Sequence, residues 1–257
     1  MPNVDAELRY RLAAPLLAGV TTWLDLGAGD GLAAAAGLSG ATLPSTLRVV
    51  LVDNDQAALS GAAGALPVAR DHVTDLVADL ATDVGTAAVR DAIDDAAATL
   101  VTCFGVLPRL ADVSSLLSLV MDLAAAGATV LLSVPEDGAG ALDAADRGSA
   151  WSAGAAEELR RLLPAGAVSL QQVALSGSAI AVDGAAIGLE AVLVGPELAA
   201  RDQIIAFGPG VERLSAVAAV SATDAVAERD LVTALQSSVA FLQARVAQLE
   251  ADNVPVG

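Results

Sequence analysis

The chain has 257 residues, 55% of them hydrophobic, which is enough to bury the core of one sizeable domain and to leave room for an appendage. Its net charge of −18 argues against nucleic acid and anionic membranes as partners, since both are bound through Lys and Arg. One cysteine, Cys103, and one histidine, His72, exclude an internal disulfide and a Cys/His zinc site. A carboxylate site for Mg²⁺ or Ca²⁺ stays open, and we assign no metal ligand.

The first 135 residues alternate between short apolar strands and helical patterns. Strands that alternate with helices in this way are typical of βαβ units and a parallel sheet. The predicted elements are a helix in the first twenty residues, strands at 21–26, 47–52, 74–78, 99–104 and 128–134, and helices at 31–38, 56–66, 84–97 and 113–125.

The pattern changes after Pro135. A Gly/Ala/Asp-rich loop at 137–152 and a helix at 155–163 are followed by two strands, 168–176 and 188–194, without a helix between them. Two consecutive strands predict an antiparallel pair at the edge of the sheet. The predicted fold is therefore α/β, a doubly wound and mostly parallel sheet of about seven strands with a reversed final hairpin, within residues 1–210.

Residues 211–257 form a separate C-terminal helical segment in this prediction. Apolar residues recur there at alternating spacings of three and four, which is a coiled-coil seam of about two and a half heptads. They are Val232, Leu235, Val239, Leu242, Val246 and Leu249. We expect residues 228–250 to mediate association with a second copy or with a partner protein. An amphipathic helix that lies on its own domain is the alternative.

Two apolar segments, residues 12–24 and 162–182, superficially resemble membrane signals. The first follows Arg9 and Arg11, as a signal peptide would, but Asp5 and Glu7 lie in the same leading region and there is no clean cleavage site. The second contains proline, glycines and polar residues, whereas a spanning helix needs ~20 predominantly apolar residues. We therefore expect a soluble, cytoplasmic protein.

A glycine-rich stretch, TWLDLGAGDGLAAAA at residues 22–36, follows the first predicted strand. A strand that is followed by glycines and the start of a helix forms a turn where backbone amides can come close to a ligand. Dinucleotide sites use G-x-G-x-x-G, but here Leu32 takes the place of the third glycine. Asp25 and Asp30 would repel a pyrophosphate and would suit a ligand with an ammonium and no phosphate. S-adenosylmethionine is such a ligand.

The motif DLGAGDG resembles the glycine-rich first motif of the class I S-adenosylmethionine-dependent methyltransferases, and the resemblance extends over residues 20–195. It implies that Asp53 holds the ribose hydroxyls, that Asp79 meets the adenine amino group and that Leu80 packs on the ring. The late strand pair matches the family's reversed hairpin. The cofactor-binding residues that it implies are Asp25, Gly27, Ala28, Gly29, Gly31, Asp53, Asn54, Asp79, Leu80, Cys103, Phe104 and Gly105.

Catalytic residues are harder to assign, because methyl transfer depends mainly on proximity and alignment. Glu136 and Asp137 follow the fifth strand, at the edge of the sheet where ligands bind, and are acceptor-side candidates. Arg109 follows the fourth strand and would pair with an anionic acceptor or with Asp112.

The sequence thus predicts an enzyme that methylates a small molecule or a saccharide, with oxygen as the expected target. The alternative is a catalytically weak scaffold of the same fold that recruits a partner enzyme through its C-terminal helix. An NAD-dependent oxidoreductase is a third and less favoured reading, given the glycine spacing.

Overall fold

The computed structural model describes residues 4–110, 112–135, 159, 161–164, 166–173 and 200–214, which belong to one compact unit. The helices are α1 (Val4–Leu17), α2 (Leu32–Gly37), α3 (Gln56–Ala65), α4 (Asp83–Asp91) and α5 (Ser114–Ala125). The strands are β1 (Thr22–Leu26), β2 (Arg48–Asp53), β3 (Val73–Val77), β4 (Thr99–Cys103), β5 (Thr129–Pro135), β6 (Val168–Val173) and β7 (Ala200–Phe207).

These strands form one mixed sheet with the order β3-β2-β1-β4-β5-β7-β6. The first five are parallel, and β7 runs antiparallel to both β5 and β6. Strand β1 lies between β2 and β4, at the point where the strand order reverses direction. In doubly wound folds this switch point is where ligands bind, beyond the carboxyl ends of the strands. The predicted α/β class, the mostly parallel sheet and its reversed edge are confirmed.

Both faces of the sheet are covered, which explains why its central strands are apolar at consecutive positions. Successive side chains of β1 point to opposite faces. Trp23 packs in the cluster formed with α1, α2 and α3, whereas Leu24 and Leu26 pack in the cluster formed with α4 and α5. All three side chains are buried. The loop that leaves β1 is therefore anchored from two hydrophobic layers.

Helix α4 is shorter than the predicted 84–97, because polar groups end it at Asp91. The Arg48 guanidinium donates to the Ala92 carbonyl at 2.9 Å, where a continuing helix would place its own amide. The Asp95 side chain then accepts from the Ala97 amide and starts a separate short 3₁₀ turn. These contacts come from β2 and from a capping residue, so the apolar pattern alone did not show them.

The reversed edge differs from the prediction in one strand. Strand β6 agrees with the predicted 168–176, but its partner is β7, where no strand was predicted. The predicted strand 188–194, the loop 137–152 and the seam 228–250 lie outside the described residues. The division at residue 210 and association through the seam stay predictions. No helix in the described part is long and apolar enough to cross a membrane.

Candidate functional site

The glycine-rich loop between β1 and α2 is tied to the end of β2. The amides of Gly27 and Ala28 both donate to the Val52 carbonyl, at 2.8 and 3.0 Å. The Gly29 amide donates to the Asp53 carboxylate at 2.9 Å. These three N–H groups are thus satisfied within the protein. The loop therefore holds its backbone rigidly and close to the end of β2.

Two glycines of this loop are required by space as well as by backbone conformation. Gly27 and Gly31 have φ values of 76° and 68°, which L-residues with a Cβ rarely adopt. A Cβ at Gly27 would overlap the Val106 side chain, and one at Gly31 would lie 2.8 Å from the Ala62 Cα in α3. At Gly29, which has a φ of 56°, a Cβ would meet nothing within 4 Å.

Alanine at position 31 should destabilise the protein more than alanine at position 29. Both substitutions place a Cβ in the left-handed region, at a cost of ~1–2 kcal/mol. At position 31 the backbone of α3 must also move, which adds ~1–3 kcal/mol as in other overpacked sites. Urea denaturation of Gly31→Ala and Gly29→Ala measures the difference. Equal free energies of unfolding would show that the packing of α2 on α3 does not depend on this glycine.

A cavity of about 260 Å³ opens at the carboxyl ends of β1 to β4. Residues from the four loops that follow these strands line it. They are Gly27, Asp53, Asn54, Ala78, Asp79, Leu80, Phe104, Gly105, Val106, Arg109 and Leu110. The four loops are brought together because parallel strands end at one edge of the sheet.

Asp53 has the most defined geometry of the polar lining residues. It is the last residue of β2, and one carboxylate oxygen accepts from Gly29 as described above. The other oxygen accepts from the Asp55 amide at 3.0 Å. The side chain is partly exposed. A carboxylate has about four acceptor positions, so two remain for hydroxyls of a ligand.

Asp79 and Leu80 form the wall that follows β3. The Asp79 carboxylate is exposed and accepts from the Ala81 amide at 3.0 Å. Thr82, not Asp79, caps α4, because its hydroxyl accepts from the Gly85 amide at 3.1 Å. Leu80 is 5% exposed and offers an apolar surface to the cavity. Helix capping therefore does not account for Asp79.

The wall that follows β4 consists of Phe104 to Val106 and then a short 3₁₀ turn, Leu107–Arg109. Leu107 is fully buried and anchors this turn, and Pro108 restricts its backbone. Arg109 lies at the cavity with an exposed side chain. The predicted pairing with Asp112 is absent among the described ion pairs. The Asp112 carboxylate instead accepts from the Ser114 amide at 2.8 Å, which lowers the pKa of Asp112.

Asp25 lies beneath the glycine loop and does not line the cavity. It is fully buried in β1, where Tyr10 donates to one carboxylate oxygen at 2.9 Å and Thr102 donates to the other at 2.6 Å. The Trp23 indole donates in turn to the Thr102 hydroxyl at 2.8 Å. Burial raises the pKa of Asp25 from its ordinary 3.8 to about 7. Its role is to connect α1, β1 and β4.

Seven of the twelve cofactor residues predicted from the sequence line the cavity, namely Gly27, Asp53, Asn54, Asp79, Leu80, Phe104 and Gly105. The structure places Asp25, Ala28, Gly29, Gly31 and Cys103 outside its lining. The Cys103 thiol is fully buried, and burial raises its pKa well above its usual range, which disfavours the thiolate that a nucleophile requires. Arg109, an acceptor-side candidate, lines the same cavity, whereas Glu136 and Asp137 lie outside the described residues.

Three lining residues were missed in the sequence: Ala78, Val106 and Leu110. Ala78 directly follows β3, and the other two lie in the turn after β4. A strand end was the available signal for all three. Because they are apolar, they carried no indication of chemistry.

The sheet order and a cavity at its switch point define a Rossmann-like α/β fold. No protein-family model matches the chain, and no curated protein matches it in sequence. Solved structures of similar fold include several methyltransferases.

One of these structures is the methyltransferase domain of bacterial CtHen1-C, with 16% identity, a TM-score of 0.49, and coverage of 79% of this chain and 98% of that one. The O-methyltransferase TomG from Streptomyces achromogenes, solved with S-adenosylmethionine, is 18% identical with a TM-score of 0.46 and covers 82% of each chain. An rRNA methylase from Streptococcus thermophilus is 13% identical with a TM-score of 0.45, and covers 81% of this chain and 98% of that one.

Proposed function

We propose that the protein is an S-adenosylmethionine-dependent methyltransferase that binds this cofactor in the cavity beyond β1 to β4. The observation that carries the proposal is the placement of two carboxylates, Asp53 and Asp79, at the ends of adjacent strands on one cavity. Asp53 would accept the ribose hydroxyls. Asp79 would accept the adenine amino group, with Leu80 against the ring.

The glycine loop supports this cofactor over a dinucleotide. A pyrophosphate binds at a helix N-terminus, where amides and the helix dipole favour negative charge. At the start of α2 the exposed Asp30 carboxylate already accepts from the Leu32 amide at 3.1 Å. A second anion there would be repelled. S-adenosylmethionine has a carboxylate but no phosphate, and its ammonium and sulfonium give it a net positive charge, so the Asp30 carboxylate does not oppose it.

When bound, the cofactor supplies an electrophilic methyl group on a sulfonium. The residues of the cavity would bind and orient it, which is the main contribution of an enzyme to such a displacement. The acceptor that we propose is a small molecule or a saccharide with a hydroxyl as the target. The net charge of −18 opposes an RNA acceptor, because RNA is bound through many basic contacts.

Isothermal titration calorimetry tests the cofactor assignment. The protein should bind S-adenosylmethionine and S-adenosylhomocysteine with micromolar dissociation constants and should give no heat with NAD. Tighter binding of NAD than of S-adenosylmethionine would refute the proposal. Binding without transfer of a labelled methyl group to any hydroxylated small molecule in a broad panel would favour the scaffold alternative.

A further inference from the structure

Helix α1 reaches the cavity wall through a buried arginine and a serine hydroxyl. Arg9 is only 7% exposed, and its Nη1 donates to the Ser133 Oγ at 3.2 Å. The same Oγ accepts from the Gly105 amide at 2.8 Å. Gly105 lines the cavity with a φ of 70°. One hydroxyl on β5 thus connects the helix to the wall that follows β4.

The next residue of α1 contacts the same wall directly. The Tyr10 ring lies edge-on to Phe104, with centroids 5.1 Å apart and an interplanar angle of 81°. Such edge-to-face pairs stabilise a contact beyond the area that they bury. The Tyr10 hydroxyl is at the same time held by Asp25. Two consecutive residues of α1 therefore fix two consecutive residues of the cavity wall.

These contacts fix a segment that contains a glycine at positive φ, Gly105. A glycine at positive φ is free to move in isolation, because glycine populates many backbone conformations. A ligand that binds a loosely held wall must order it on binding and loses affinity, whereas a wall that is already ordered avoids that cost. The contacts from α1 provide this order before a ligand arrives.

We propose that Arg9 and Tyr10 are positioning residues that preorganise the Phe104–Gly105 wall for the cofactor, Arg9 through the Ser133 hydroxyl and Tyr10 through ring contact. This inference rests on the proposed function. It assigns to α1 a part in cofactor affinity, although Arg9 and Tyr10 do not line the cavity.

The test is a double-mutant cycle on S-adenosylmethionine binding, measured by calorimetry well below the melting temperature of every variant. Arg9→Met and Ser133→Ala should each raise the dissociation constant ~10-fold, which corresponds to ~1.4 kcal/mol. Because both substitutions break the same connection from Arg9 through Ser133 to Gly105, the affinity of the double variant should also fall ~10-fold and not ~100-fold. Arg9→Lys keeps a donor and should recover part of the affinity.

Two further variants separate this role from simple stabilisation of the fold. Arg11 lies in the same helix and pairs with Glu7. Arg11→Met removes this cation and should leave the dissociation constant unchanged. Tyr10→Leu should weaken binding, whereas Tyr10→Phe keeps the ring and should bind within about twofold of the parent, a shift of ~0.4 kcal/mol.

A lowered melting temperature with an unchanged dissociation constant in Arg9→Met would overturn the inference, as would additive losses in the double variant. If these variants bind as the parent does, only this inference fails. A parent protein that binds no S-adenosylmethionine contradicts the proposed function as well.

Discussion

Replacement of Asp53 by alanine should weaken the binding of S-adenosylmethionine by at least ~10-fold. The carboxylate is aimed by the amides of Gly29 and Asp55, so its remaining acceptor positions are fixed toward the cavity. Each hydrogen bond to a charged group is worth ~1.5–3 kcal/mol, and ~1.4 kcal/mol equals a factor of ten in affinity. Loss of two bonds to the ribose hydroxyls therefore exceeds tenfold. Calorimetry on parent and variant gives the ratio.

Asp55→Ala is the matched control for this measurement. It removes the same charge two residues away, and Asp55 caps α3 by accepting from the Ala57 and Ala58 amides without lining the cavity. Loss of such a cap costs ~1 kcal/mol of stability and should not change the dissociation constant. Equal dissociation constants for all three proteins would mean that Asp53 only fixes the glycine loop to the end of β2.

The first five strands were predictable because each is a short apolar run between helical patterns, and such alternation has few topological solutions. Strand β7 was not. Its sequence, ARDQIIAF, has three polar residues in its first half. Its pairing is non-local, because β7 lies between β5 and β6, and both are far from it along the chain. A local pattern does not record which distant strand supplies the hydrogen bonds.

The candidate site was also predictable only in part. The position of Asp53 and Asp79 at the cavity was predictable, because the carboxyl ends of parallel strands meet at one edge of the sheet. The surroundings of Asp25 were not predictable. Its partner Tyr10 lies in α1, and the sequence does not show that the Tyr10 hydroxyl reaches the Asp25 carboxylate in β1. An acidic residue beside a glycine loop suggested a ligand contact where the structure has a buried network.

The buried Asp25 should make the stability of the protein fall as the pH rises from about 4 to about 7. Burial, and secondarily the nearby Asp53 carboxylate, raises the folded-state pKa to about 7, whereas an unfolded aspartate titrates near 3.8. The folded state therefore holds this proton more tightly. Its contribution is fully present below pH 3.8 and is lost as the pH approaches 7. At ~1.4 kcal/mol per pH unit the loss amounts to ~4 kcal/mol.

Asp25→Asn isolates this contribution, because asparagine does not titrate. At pH 4 the variant should be about as stable as the parent, because the amide and the protonated carboxyl each offer one carbonyl acceptor and one donor group to Tyr10 and Thr102. Urea denaturation between pH 4 and 7.5 should show that the parent loses up to ~4 kcal/mol relative to the variant toward the upper limit, where the variant becomes the more stable of the two. Asp71→Asn removes an exposed charge and should run parallel to the parent throughout. A variant at position 25 that also runs parallel would show that Asp25 is ionised in the folded protein over this whole range, and that the hydroxyls of Tyr10 and Thr102 compensate for its burial.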